Sequence, residues 1–190
     1  TTIEIVNTTP MTISVVDITG QVAYTQGGTL DVRVTMDNTG GSNDVDCDVL
    51  ALLINGTGYT LNVSSYTGFT VTTGTSTSRD FSITIGGSAT TGDIEIDCDF
   101  DGTDLSGDVN QSANVTSLIE VYVPATLSIL SIVDLTARAR YVGGETFDIR
   151  VTYQNTGELD VNSVDATINF NGATDISASN PAAVVVPQSG

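Results

Sequence analysis

Tyr24-Thr25-Gln26-Gly27-Gly28-Thr29-Leu30-Asp31-Val32-Arg33-Val34-Thr35-Met36-Asp37-Asn38-Thr39-Gly40 decides the fold class of this 190-residue chain. Leu30, Val32, Val34 and Met36 alternate with Asp31, Arg33 and Thr35, the period-two signature of a half-buried strand. The stretch returns as YVGGETFDIRVTYQNTG over Tyr141–Gly157, at an offset of 117. There Phe147, Ile149, Val151 and Tyr153 carry the same alternation. Upstream, Ser14–Thr19 answers Ser131–Thr136, and downstream Asn55-Gly56 answers Asn171-Gly172. Chance does not produce such agreement, so two tandem copies of one unit are expected.

Working outward, Phe81–Ile85 and Ile94–Phe100 repeat the alternation, and no window sustains a 3.6 period. Asn38-Thr39-Gly40-Gly41, Asn55-Gly56, Gly86-Gly87 and Asp101-Gly102 supply turn chemistry between the runs. About seven short strands in roughly 115 residues is the count of an immunoglobulin-like sandwich. The fold expected is all-β, with tandem immunoglobulin-like β-sandwich domains. Residues 1–9 read as a lead-in strand, 10–124 as a first repeat and 125–190 as a second, incomplete one.

Composition narrows the function. Asp and Glu number 23 against 5 Lys+Arg, for a net charge of −18, and there is no His. All five cations are arginine. Without His or Lys, triads, His-ligated metals and Schiff bases are excluded. So strong a negative charge repels nucleic acid, and no stretch reaches the ~18–20 apolar residues of a membrane helix. No cleft or sugar platform accompanies the paired carboxylates, since Trp is absent and Phe and Tyr number 5 and 6. The chain is read as a non-enzyme, exported to the cell surface.

The run Gly27–Gly40, followed by an apolar strand ending in Asn55-Gly56, resembles the CARDB-like, cell-adhesion-related modules of prokaryotic surface proteins, archaeal ones among them. Gly143–Gly157 carries the same signature. The resemblance covers most of both copies and implies immunoglobulin-type sandwiches strung along envelope proteins, with no shared catalytic residues. The ends of the chain are complementary. Nothing in the second copy answers Phe81–Ile85, Asp93–Phe100 or Ser117–Val123. At the other end Ile3-Glu4-Ile5-Val6 matches Ile119-Glu120-Val121-Tyr122. Either the chain is a window on a longer array, or one copy's N-terminal strand completes another copy's sheet by strand addition.

Several residues carry candidate chemistry. Cys47 and Cys98 share parity with apolar neighbours (Val45 and Val49; Ile94, Ile96 and Phe100), so both should face inward. In an exported protein, such a pair is expected to form a disulfide. Asp97, Asp99 and Asp101 share one strand face with Asp93 and Glu95; Asp46 and Asp48 share another with Asp44. If the cysteines bond, the two acidic rows lie side by side, and Ca²⁺ is the natural compensating ion. Asp97–Asp108 also fits DxDxDG calcium-loop spacing, although its flanks read as strand. The bland alternative is a solvated acidic face.

Sequons at Asn7, Asn55, Asn62, Asn110 and Asn114 are N-glycosylation candidates, with Asn110 and Asn114 placed in a polar loop and Asn55 in a turn. Val49–Ile54 is apolar on both faces, so its second face, with Leu53, should be covered as a central strand or a subunit contact. The expected function is a structural subunit of a filament, appendage or surface layer, in head-to-tail contact with copies of itself. An adhesin binding carbohydrate or protein, or an accessory module of a secreted enzyme, are the alternatives.

Overall fold

The computed structural model describes residues 11–115, 119–173, 175–179 and 181–188. Every regular element among them is a strand. In chain order the first six are β1 (Thr12–Asp17), β2 (Tyr24–Thr25), β3 (Thr29–Asp37), β4 (Val45–Ile54), β5 (Tyr59–Leu61) and β6 (Ser65–Tyr66). Six more follow: β7 (Phe69–Val71), β8 (Ser76–Ile85), β9 (Gly92–Ile94), β10 (Ile96–Asp104), β11 (Gly107–Asn114) and β12 (Ile119–Tyr122). The last four are β13 (Leu127–Asp134), β14 (Ile149–Asn155), β15 (Val161–Val164) and β16 (Val184–Val186). The chain divides into two units, residues 1–122 and 123–190.

In the first unit, one sheet has the order β1-β3-β8-β5 and a second the order β11-β10-β4-β6, with β7 also on β4. The alternation read in β3 is borne out: Leu30, Val32, Val34 and Met36 are buried, while Asp31, Arg33 and Asp37 are exposed. Beside them in the same sheet, β8 contributes Phe81, Ile83 and Ile85, and facing them Leu50, Leu52, Ile96 and Phe100 come from the other sheet. One shared core joins the two sheets. Each fully buried large side chain contributes roughly 1.5–3 kcal/mol relative to exposure, and this is what holds strands of such polar composition together. On the outer face, Arg33 sits directly opposite Asp80 and grips it through two hydrogen bonds of 2.7 and 2.8 Å.

β4 does not keep a single parity. Asp101 pairs with Val49 but Gly102 pairs with Cys47, so Asp48 is an extra residue and forms a β-bulge. Val45 and Cys47 point inward before it, Leu50 and Leu52 after it. Val49, expected to share the inward face with Cys47, is only half-buried for this reason. Glycine is required opposite the bulge. A Cβ on Gly102 would stand 2.5 Å from the Asp46 carbonyl oxygen.

A third sheet, β2-β12-β9, closes the unit, with β12 parallel to β2. Beside it, Tyr24 Oη donates to Asp17 Oδ2 at 2.5 Å, while Asp17 Oδ1 accepts from the Thr19 N–H at 2.9 Å. Thr19 Oγ1 accepts in turn from the Asp31 N–H at 2.6 Å. This network ties the turn after β1 to the start of β3.

In the second unit, β13 pairs with β14 and β15 with β16. Ser131, Ile132, Val133 and Asp134 face Thr152, Val151, Arg150 and Ile149. Subtracting 117 from each gives the register of Ser14–Asp17 on Val32–Thr35. The network recurs as well: Tyr141 Oη donates to Asp134 Oδ2, and Thr136 Oγ1 accepts from the Asp148 N–H at 3.1 Å. Among the described residues, Asn38 and Asn155 are the buried polar ones. Asn38 donates to the carbonyls of Asn43 and Val71 at 2.9 and 3.0 Å, and Asn155 to that of Leu159 at 2.7 Å. The repeat read in the sequence is thus a repeat of register and of hydrogen bonds.

Candidate functional site

The disulfide expected between Cys47 and Cys98 is not formed; both are free, buried thiols. Both face inward as expected, and their strands are neighbours in one sheet. Register separates them: Cys98 lies opposite Leu52, whereas Cys47 lies opposite Gly102. The offset of four to five positions amounts to roughly 13–16 Å along the strands, against the ~7 Å limit between Cα atoms for a bridge. Burial, with Asp48 second, pushes the Cys47 thiol up to about 11. Burial and the nearby Asp99 push that of Cys98 up to about 12. Neither is poised for nucleophilic chemistry, because the thiolate is the reactive form.

The acidic rows are also placed differently from expectation. Asp97, Asp99 and Asp101 do line the outer face of β10, but their cross-strand neighbours are not acids. On one side stand Asn114, Ser112 and Asn110, and on the other Leu53, Ala51 and Val49. Asp46 faces Thr103 and Thr70, and the Thr70 hydroxyl donates to it at 2.7 Å. Asp48 occupies the bulge. Asp108, near the start of β11, faces Thr103. Spacing each carboxylate beside hydroxyls, amides or aliphatic groups avoids the like-charge pairing that destabilises sheets.

The calcium-loop spacing of Asp97–Asp108 falls mostly on extended strand. Asp97–Asp104 is extended strand, which puts alternate carboxylates ~6.5–7 Å apart along one line where an ion needs a loop wrapped around it. Asp104 instead fixes the turn into β11, accepting from the Ser106 N–H at 2.7 Å and the Gly107 N–H at 3.1 Å. Among the described residues, no group of three His, Cys, Asp or Glu side chains is arranged to hold a metal ion. Within the row, Asp97 is held above the usual carboxylate range, first by burial and then by Glu95 and Asp99.

Of the sequons, Asn55 and Asn62 are exposed in turns. Asn62 Oδ1 already accepts from the N–H groups of Val63 and Ser82. Asn110 and Asn114, expected in a loop, lie on the exposed face of β11. Asn7 and the strand Ile3, Glu4, Ile5, Val6 lie outside the described residues. β4 is a central strand, as one expectation for Val49–Ile54 had it, and its second face is partly covered: Val49 and Ala51 are half-buried, while Leu53 remains 49% exposed.

A further uncovered apolar surface is one that the sequence reading did not name by residue. Val15 on β1 is 3% exposed, whereas its repeat equivalent Ile132 on β13 is 66% exposed. Ile129, opposite Tyr153 on the same side, and Leu130, at a bulge, are exposed with it, whereas Val133 points to the other face, as its equivalent Val16 does at 53%. Nothing among the described residues plays the part for β13 and β14 that β10 and β11 play for β1 and β3. The offset of 117 was the signal, because it marks Ile132 as a core position.

No known protein family matches the chain, and neither does any curated protein.

Proposed function

We propose that this chain is a structural subunit of an extracellular assembly (a filament, appendage or surface layer) built from immunoglobulin-like units. The single observation that carries the reading is Ile132 on β13, which is 66% exposed where its counterpart Val15 in the first unit is core. With Ile129 and Leu130 exposed beside it, apolar surface of this kind is what interaction sites present. The immunoglobulin-like part rests on strand order. With β1, β3, β8 and β5 taken as A, B, E and D, and β4, β10 and β11 as C, F and G, the sheets follow the ABED and GFC orders. The resemblance to CARDB-like surface modules agrees with that order and with a place on the cell surface. An acidic, lysine-free exterior keeps such units apart until specific faces meet.

Electron microscopy of the native material tests the proposal. Regular polymers are expected; monodisperse rods at all concentrations would overturn it. One feature favours a second reading, an adhesin. A shallow cavity of about 350 Å³ at one end of the first unit is lined by Asn38, Asn43, Asp104, Ser106, Asp108 and Asn110, among others. Its polar lining suits a carbohydrate hydroxyl array, but no aromatic ring offers a sugar a stacking surface there. Saturable glycan binding by a monodisperse protein would favour this second reading.

A further inference from the structure

We propose that Asn62 is a modification site, whose Nδ2 carries an N-linked glycan that covers the open side of the first unit's sandwich. The modification requires export of the chain, which the assembly reading above includes, and nothing else of that reading. The two sides of the sandwich differ. β1 and β11, at one end of each sheet order, meet through the parallel bridge between Val15 and Val115. On the opposite side both sheets end in short strands, β5 in one, β6 with β7 in the other. Such edges offer unpaired N–H and C=O groups to any passing strand, and proteins blunt them. The connection between β5 and β6 is Asn62-Val63-Ser64, which is itself the sequon. A bulky, hydrated glycan rooted there stands beside both edges at once.

Hydrogen bonds hold the Asn62 carboxamide in a presenting orientation. The Asn62 N–H donates to the Ser82 carbonyl at 2.9 Å, which extends the β5–β8 ladder by one residue. Asn62 Oδ1 accepts from the Ser82 N–H at 2.9 Å and from the Val63 N–H at 2.8 Å. Two donors converge on that atom, so it is the oxygen, and Nδ2 is the atom left for chemistry. In glycosylation the Nδ2–C1 bond forms while the C1–O bond of a lipid-diphosphate-linked sugar breaks. The lipid diphosphate leaves, and one Nδ2 proton goes to the transferase. The carbonyl oxygen is untouched, so both Oδ1 bonds survive. Asn62 and Ser64 are exposed. The other described sequons are more engaged. Asn110 Nδ2, in the orientation its neighbours require, donates to Asp101 Oδ1 at 3.0 Å, and Asn114 Nδ2 donates to Glu95 Oε1 at 3.4 Å. Both stand beside carboxylates that repel an anionic donor. At Asn55 the sequon hydroxyl, Thr57 Oγ1, is held against Thr90 Oγ1 at 3.2 Å.

The test is site-resolved glycopeptide mapping, by mass spectrometry, of the chain purified from its native source. Asn62 is expected to carry a glycan mass, with Asn110 and Asn114 bare. A bare Asn62 overturns the proposal, whatever the other sequons carry. Electron microscopy of the same sample separates this site from the assembly reading. An occupied Asn62 on monodisperse rods supports the glycan and overturns the assembly, and regular polymers with a bare Asn62 do the reverse. The covering role is read from Ser64→Ala made in the native host, which removes the sequon and leaves the Asn62 hydrogen bonds in place. Enzymatic removal of the glycan from the folded chain gives the same comparison without a substitution. Loss of the glycan mass and growth of irregular aggregates, at concentrations where the glycosylated chain forms none, are expected from both. Sedimentation identical to that of the glycosylated chain would overturn the covering role.

Discussion

At the scale of single residues, the two cysteines show how parity and register separate. Both thiols are buried and pushed up in pKa by that burial, so alkylation of native, unreduced protein should be slow and denaturation should release two reactive thiols. Mass analysis after denaturing alkylation checks this, and reductant should leave the melting temperature unchanged. Asp97 gives a pH-dependent prediction. Its folded pKa is raised, so its contribution is favourable below the unfolded value and is lost as pH rises through the folded one. At neutral pH the carboxylate is therefore a liability. Asp97→Asn should raise the melting temperature at pH 7, and the gain should vanish in titrations below the ordinary aspartate range. Asn38 works in the opposite sense. Its two donated hydrogen bonds satisfy the Asn43 and Val71 carbonyls inside the unit, and Asn38→Ala should cost about 1–3 kcal/mol in denaturant unfolding because the buried Val71 carbonyl loses its partner.

At the scale of elements, the bulge in β4 governs which side chains reach the core. It lets a strand reading VDCDVLALLI bury Val45 and Cys47 on one parity and Leu50 and Leu52 on the other. Gly102 makes room for it. Gly102→Ala forces a Cβ against the Asp46 carbonyl and the Phe100 ring, and should cost about 1–3 kcal/mol by overpacking, read as a lower denaturation midpoint with an unchanged slope. Phe81 is the anchor on the opposite sheet. It is fully buried on β8 and meets the Tyr66 ring edge-on at 5.1 Å between centroids. Phe81→Ala should remove about 3–5 kcal/mol.

At the scale of the whole molecule, charge sets the response to ions. With the β10 carboxylates spread along an extended strand, repulsion across the −18 chain is expected to respond to screening. Calorimetric scans in NaCl and CaCl₂ matched for ionic strength should show equal rises in melting temperature. A rise specific to calcium would mean that carboxylates from outside this row join it. Acid should unfold the first unit. Arg33 holds the Asp80 carboxyl below the usual range, and Ser106 does the same for Asp104. Their contributions are present above the unfolded carboxylate value and disappear as pH falls through the folded ones.

The alternation of Leu30–Met36 was enough to assign a strand and its inward face, because side-chain parity is a local property of extended backbone. Its return at Phe147–Tyr153 marked the repeat, although β14 begins only at Ile149 and its apolar residues are half-buried. The Asp17–Tyr24 and Asp134–Tyr141 bonds were visible as identities, though their reason (fastening a turn to the next strand) needed coordinates. Register was not legible. Whether Cys98 meets Cys47 or Leu52, and whether Asp97 meets another acid or Leu53, depends on how two strands far apart in sequence slide past each other. A one-residue bulge at Asp48 changes that alignment without any local signature. Nor does the sequence reveal which apolar face is covered. Val15 and Ile132 have the same neighbours along the chain, and only the strands that pack across from Val15 make it core while Ile132 stands in water.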